Sequence, residues 1–440
     1  MRARLASVLV IAFVVGACGP AEQVAAPQST EADIELTEPV EVTLWHNQSG
    51  ELAKGFADMI GEFNRTNGKK ITVKPEFQGN YTQIYQKTLG AIQAGALPEG
   101  IVAVENQVAD YAKAGVVVDL GPYVSSKRNG LSQQSLDDIY KPYLDSNRYP
   151  QYGNAILSFP FIKSLEVNFQ NDDLLKELGQ SSPKTWEEFE RVARAAKRAG
   201  PDGKVNRWGW MTYGTENFLA QVLTRGGRIL SEDGRTVGWG GGEGLATLQL
   251  LDRCVREEWC YQPKGFDWQN QFGSGDLLFA TGTSTGRPFI KAAFKKPIAW
   301  SVVGMPAQPP AQSRTIQFGG VIAVMKTTAP KQLAVWEFLK WFTDTKQTAK
   351  WAMVSSYMPI RKAAAEDPAL RAHYGGPDPQ GKQAFDLVAT SVPGPSIRGW
   401  QEVRDAVFEM ITKVVTRTAT PEQALKDGAA KANQILKDNQ

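Results

Sequence analysis

Val40-Glu41-Val42-Thr43-Leu44-Trp45 opens the stretch that decides the fold, and it is followed by Leu52, Phe56, Met59, Ile60 and Phe63 at helical spacing. The first run predicts a strand, and the apolar residues after it predict a helix through about Asn64. Ile71 to Phe77 then reads as a second strand, Tyr81 to Gln93 as a second helix, Gly100 to Val104 as a third strand, and Val108 to Lys113 as the start of another helix. Strands alternating with helical crossovers predict a parallel sheet covered on both faces, an α/β lobe.

A second α/β region begins near Ala155. Ile156 to Phe159 and Leu165 to Phe169 are strand-like, and Thr185-Trp186-Glu187-Glu188 predicts a capping box that starts a helix with Trp186, Phe189, Val192, Ala193 and Ala196 inward. Gly200 is placed to stop that helix. The glycine-rich segment Gly234 to Gly244 lacks the Gly-Lys-Ser/Thr step of a phosphate loop and reads as a hairpin before a helix at Leu245 to Glu258. Beyond Thr315, Ile316 to Met325 predicts one strand; Gln332 to Thr343, Gln347 to Ser355, Glu402 to Thr416 and Pro421 to Lys437 predict helices.

The 440 residues are 42% hydrophobic and 22% charged, the make-up of an ordinary globular protein. A net charge of +3 makes neither nucleic acid nor an acidic surface a default partner, and two histidines with three cysteines leave no basis for a multi-His zinc site. Arg2 and Arg4 before the apolar run Leu5 to Ala17 predict a signal peptide over residues 1–17. Removing it takes away only those two charges, leaving +1. Val15-Gly16-Ala17-Cys18 resembles a lipobox, which predicts lipidation at Cys18; the run to residue 38 is poor in large apolar residues and predicts a disordered tether over 18–38. In such an exported protein Cys254 and Cys260 read as either a disulfide or two buried thiols; the bond requires the helix to end near Glu258.

Catalytic patterns are poorly supported. His46 and His373 are the only histidines, and neither an HExxH nor a GxSxG pattern lies near them in the sequence. A carboxylate pair for glycoside hydrolysis has no signature in sequence. Binding features are stronger: twelve Trp and twelve Tyr offer flat faces for a sugar or polyol, and Arg398, in Pro395-Ser396-Ile397-Arg398-Gly399-Trp400, lies among turn-formers where a guanidinium can meet an anion bidentately.

Several phrases, in order, carry a resemblance: Leu44-Trp45-His46 with Gly50-Glu51-Leu52, Gly79-Asn80-Tyr81, Val104-Glu105, Pro160-Phe161 with Ser164, Pro183-Lys184-Thr185-Trp186, Gly275-Asp276 with Thr283-Ser284, Gly319-Gly320, Tyr357-Met358-Pro359-Ile360 and Ile397-Arg398. Together they resemble bacterial ABC-importer substrate-binding proteins, and among them the branch that takes sn-glycerol-3-phosphate. The resemblance implies an α/β type II periplasmic-binding-protein fold, two lobes joined by a multi-crossing hinge. Lobe 1 is expected over 39–155 with 315–358, and lobe 2 over 156–314 with 359–440.

By the same resemblance Tyr81, Glu105, Ser164, Ser284, Gly319, Tyr357 and Arg398 line the ligand site. Arg398 would take the phosphate and Glu105 a glycerol hydroxyl. The register around Thr283, Ser284 and Thr285 is open by one residue. A tryptophan-rich insertion of the family is shorter here, so Trp210 or Tyr213 is expected to supply an aromatic contact, or the pocket is wider and takes a glycerophosphodiester. The expected protein is a monomeric, extracytoplasmic lipoprotein that hands a phosphorylated polyol to ABC permease subunits, with no cofactor, no metal and no nucleic acid. The alternatives are a binder of a neutral oligosaccharide on the same fold, and an exported hydrolase of glycerophosphodiesters or glycans.

Overall fold

Residues 30–211 and 214–440 are described by the structure, a computed structural model. The leader, the lipidation site Cys18, the tether up to residue 29, and Tyr213 lie outside them. Val40–His46 is the second strand of a five-stranded sheet ordered Ile71–Phe77, Val40–His46, Gly100–Ala103, Val321–Val324, Phe159–Pro160. The first two neighbours of Val40–His46 are parallel to it, as the strand–helix alternation predicts. Val321–Val324 and Phe159–Pro160 enter from far along the chain and pair antiparallel, so the sheet is mixed.

The helix Gly50–Thr66 covers this sheet with Phe56, Met59, Ile60 and Phe63 fully buried. Phe63 meets Phe338 and Trp341 of the helix Ala329–Phe342, at centroid distances of 5.2 and 5.4 Å, and Phe56 meets Phe342 at 5.8 Å. Edge-on aromatic packing of this kind adds about 1 kcal/mol per pair beyond area burial.

The second sheet is built on Ser164–Asn171, whose eight residues are all buried. Phe279–Thr283 pairs with it antiparallel along one edge; Trp300–Val303 and Thr315–Phe318 pair with its two ends along the other. Ser391–Pro393 continues the sheet beyond Thr315–Phe318. The central strand alternates Leu165, Val167 and Phe169 with Ser164, Glu166, Asn168 and Gln170, so one face is oily and the other polar though both are covered. The helix Trp186–Ala196 packs here through Trp186 and Phe189, and its Thr185 and Glu188 form the expected capping box.

Four expectations need correction. Ile316 to Met325 is not one strand: it breaks at Gly319-Gly320, and its halves belong to different sheets. The lobe boundaries move accordingly, because Thr315–Phe318 pairs in the second sheet and Phe159–Pro160 in the first. The helix begun by Trp186 stops at Ala196, before Gly200, where Arg207 Nε donates to the Ala196 carbonyl at 2.8 Å and satisfies a helix-end acceptor. Finally, residues 30–36 are not tether. Thr30–Asp33 is a 3₁₀ turn with Ala32 buried, Asn129 Nδ2 donates to the carbonyls of Ala32 and Ile34 at 2.9 and 3.0 Å, and Ile34 and Leu36 pack on the first lobe's core.

Cys254 and Cys260 are bonded, with Cα atoms 5.2 Å apart. The helix Gly242–Arg256 ends in time for this, and Glu258 adopts a left-handed φ of 57° that turns the chain back.

Candidate ligand-binding cleft

Parallel strands deliver the chain to the same sheet edge, and ligands in open α/β sheets sit outside the carboxyl ends of the strands. Two expected residues arise in this way. After Ile71–Phe77, Asn80 caps the helix Tyr81–Ala94 in a reciprocal box with Gln83, which fixes Tyr81 at the first helical position. After Gly100–Ala103, Glu105 is the first residue of Glu105–Lys113. A carboxylate at a helix N-terminus is favoured by the dipole. From the other lobe, Ser164 opens the central strand and Thr283 ends its neighbour.

Between the sheets these residues enclose a cavity of about 470 Å³, lined by Tyr81, Glu105, Ser164, Gly319 and Tyr357 among the expected set. Gly319 has φ 135°, and a Cβ there would lie 2.2 Å from the Ile162 carbonyl oxygen, so only glycine lets the two crossing segments pass. A Cβ on Gly320 would lie 2.8 Å from the Tyr81 hydroxyl. The glycine pair therefore both carries the chain between lobes and leaves room for a ligand-facing phenol. That hydroxyl is buried without a partner, and burial, with Tyr357 and Glu105 nearby, holds its pKa well above 10. Tyr357 follows Ser356, a non-glycine residue at φ 62°, and burial pushes its phenol up to about 12. Both phenols are neutral hydroxyls at physiological pH.

Three expected residues lie elsewhere. Ser284 is fully buried with its Oγ accepting from the Leu165 amide at 3.1 Å; the cavity receives its neighbours Thr283 and Thr285, whose hydroxyls are 2.9 Å apart. Trp210 is core: it donates to Thr281 Oγ1 at 3.0 Å and packs on Phe189 with centroids 5.4 Å apart. Arg398 lines a separate cavity behind the Gly394-Pro395 strap, and its backbone amide donates to Gln151. The reason is Gly399, whose left-handed φ of 73° reverses the chain between Arg398 and the helix Trp400–Val415.

The cation in the cleft is instead Arg404. Trp400 and Arg404, one helical turn apart, present one face to the cavity. Arg404 Nε donates to Glu216 Oε1 at 2.8 Å, Nη2 bonds the same oxygen, and Nη1 donates to Gln401 Oε1 at 3.0 Å. Glu216 stands in the first turn of Thr215–Thr224, and Thr215 Oγ1 donates to the Arg404 carbonyl at 3.0 Å, tying the two helices at the pair.

Two further ionisable groups escaped the sequence reading. Lys163, fully buried, donates to Glu105 Oε1 at 2.5 Å and holds that carboxylate in place. Glu166 lines the cavity from the central strand with Oε1 unpartnered, and burial, reinforced by Glu216, raises its pKa well above the ordinary carboxylate value. The shift favours the protonated acid, the form that can donate a hydrogen bond. Glu105 is matched by Lys163 behind it, and Glu216 by Arg404.

A mixed-sheet, two-lobed α/β body with a polar interlobe cleft, crossed several times by the chain, defines a periplasmic solute-binding-protein fold. Residues 58–374 match the family of bacterial extracellular solute-binding proteins, and the chain belongs to it. Within that family it is similar to the sn-glycerol-3-phosphate-binding periplasmic protein UgpB of Pectobacterium atrosepticum, 23% identical over 90% of this chain and 91% of that one. Among solved structures it is similar to the cyclic alpha-maltosyl-1,6-maltose binding protein of Arthrobacter globiformis, with TM-score 0.78, 19% identity, and coverage of 91% of this chain and 100% of the other. It is also similar to UgpB of Mycobacterium tuberculosis in complex with glycerophosphocholine, with TM-score 0.76, 16% identity, and coverage of 91% and 99%. The chain is an ABC-type extracellular solute-binding protein; proteins of this class bind a ligand, work with permease subunits and are not enzymes.

Proposed function

We propose that this chain captures a glycerophosphodiester, or the related sn-glycerol-3-phosphate, in the interlobe cleft and delivers it to a membrane permease. The observation that carries this reading is Arg404, the one cationic side chain among the described residues lining the cavity, with hydroxyls of Tyr81, Tyr357, Ser164, Thr283 and Thr285 on the same walls. A guanidinium takes two phosphate oxygens bidentately, and neutral hydroxyls supply further donors without competing charge. Glu105, pinned by Lys163, accepts from the glycerol hydroxyls. Arg404 thus assumes the role first assigned to Arg398. The similarity to two proteins named UgpB points the same way.

A second reading, a neutral oligosaccharide, is favoured by one observation: Arg404 is already bonded to Glu216, and Trp400 and Phe318 offer apolar faces in the same cavity. Isothermal titration of residues 18–440 carrying Cys18→Ser decides between them. Arg404→Ala is expected to weaken glycerophosphocholine binding by about 100-fold and Arg398→Ala by less than about threefold. Unchanged binding of a neutral maltodextrin by both variants, with no phosphate binding by the parent, would favour the second reading.

A further inference from the structure

The Arg404–Glu216 pair has a second cavity on its other side. It measures about 530 Å³, and Glu216, Gln401 and Arg404 line it as well as the ligand cavity, so the ion pair is part of the wall between the two. The lining beyond the pair differs in character from the cleft. Phe266 and Phe408 are large aromatics exposed by 66% and 58%, and Asp405 stands one residue from Arg404 on the same helix. Among the described residues this lining contains one cation, Arg404, which is matched by Glu216, and a further carboxylate at Asp405.

Exposed aromatic faces beside carboxylates attract an organic cation, whose charge interacts with the ring quadrupole while its methyl or methylene groups bury apolar surface. A phosphate group arriving in the cleft competes for the Arg404 guanidinium. Each hydrogen bond it takes from Glu216 leaves that carboxylate less neutralised and facing the second cavity. The two changes favour one ligand type, in which the phosphate monoanion and a cation are joined by a short alcohol linker.

We infer that the cavity bounded by Phe266, Phe408, Asp405 and Glu216 is a subsite for the cationic head group of a zwitterionic phosphodiester, entered past the Arg404–Glu216 pair. The inference rests on the phosphodiester reading above and extends it from the phosphate to the group esterified to it. It also assigns Glu216 a specificity role: Glu216 opposes a dianionic phosphate that brings no cation, and rewards a monoanionic one that does.

The test is a titration series on residues 18–440 carrying Cys18→Ser, with glycerophosphocholine, sn-glycerol-3-phosphate and glycerophosphoglycerol, in the parent, Phe408→Ala and Asp405→Asn. Both substituted side chains are exposed, and a thermal melt of each variant checks that the fold is kept. The parent is expected to bind glycerophosphocholine about tenfold more tightly than either other ligand. Each substitution is expected to remove most of that margin and leave sn-glycerol-3-phosphate affinity within about twofold. Equal parent affinities for the three phosphates, or variants that keep the full preference for the choline ester, overturn the subsite while the phosphodiester reading stands. Binding of no phosphate ligand by the parent overturns both.

Discussion

At the scale of single residues, Glu166 makes a sharp prediction. Burial holds its folded pKa above the ordinary carboxylate value of 4.5, so as pH rises the unfolded chain ionises before the native state does. Its stabilising contribution is complete below about pH 4.5 and is lost as pH rises toward the folded pKa. Glu166→Gln, neutral throughout, should match the parent near pH 4 and exceed it at pH 7 by about 1–3 kcal/mol in urea unfolding. A difference that does not vary with pH would show that Glu166 is ionised in the fold. The residue escaped the sequence reading because Ser164-Leu165-Glu166-Val167 looks like an ordinary half-exposed strand; only pairing on both edges and coverage on both faces turn its polar side into a buried one.

The same scale explains why Arg398 was chosen over Arg404. Both stand near an aromatic, and the turn-rich surroundings of Arg398 look like a site. What decides between them is backbone geometry: a left-handed glycine separates Arg398 from the helix, while Trp400 and Arg404 share a face within it. The spacing of four from Trp400 was the available signal. Tyr81 and Glu105 were reached through the family resemblance; in the structure each follows a strand and opens a helix, Tyr81 at the predicted start and Glu105 three residues before it.

At the scale of elements, the crossing at Gly319-Gly320 is the part of the fold least tolerant of change. Gly319→Ala would set a Cβ against a backbone oxygen, which cannot move without shifting the strap between lobes, and it also demands a φ that L-residues avoid. We expect a loss of about 3 kcal/mol or more in urea unfolding. Gly320→Ala meets side chains, not backbone, with the Tyr81 hydroxyl at 2.8 Å and Ile162 and Val102 at 3.1 and 3.3 Å; it should cost less stability, with its larger effect on ligand affinity. Equal tolerance of the two substitutions would contradict this account. The sequence reading ran one strand through this pair because Ile316 to Met325 is apolar on either side, and hydrophobicity does not record which sheet a strand joins. Helices with a wide apolar stripe, such as Gly50–Thr66 and Trp400–Val415, were legible nearly to their ends. The packed segment at Ala32, Ile34 and Leu36 was not, since three small or aliphatic residues in a polar run give no periodic signal.

At the scale of the whole molecule, function follows from where the walls of the cleft come from. Tyr81 and Glu105 belong to elements of the first sheet, and Ser164, Thr283 and Thr285 to those of the second, so a ligand touching both sets gains contacts only when the lobes are together. Differential affinity of this kind is what shifts an open–closed equilibrium, and a permease can read the result as a change of shape. The chain's crossings between sheets, at residues 160–164 and 318–321, give the hinge its position. The central claim is that this cleft selects a phosphodiester of glycerol through Arg404. Isothermal titration of residues 18–440 carrying Cys18→Ser with glycerophosphocholine, against maltose as a neutral control, tests it most directly. The account predicts saturable one-to-one binding of the phosphodiester and none of the sugar; saturable binding of maltose with silence from the phosphodiester would contradict it.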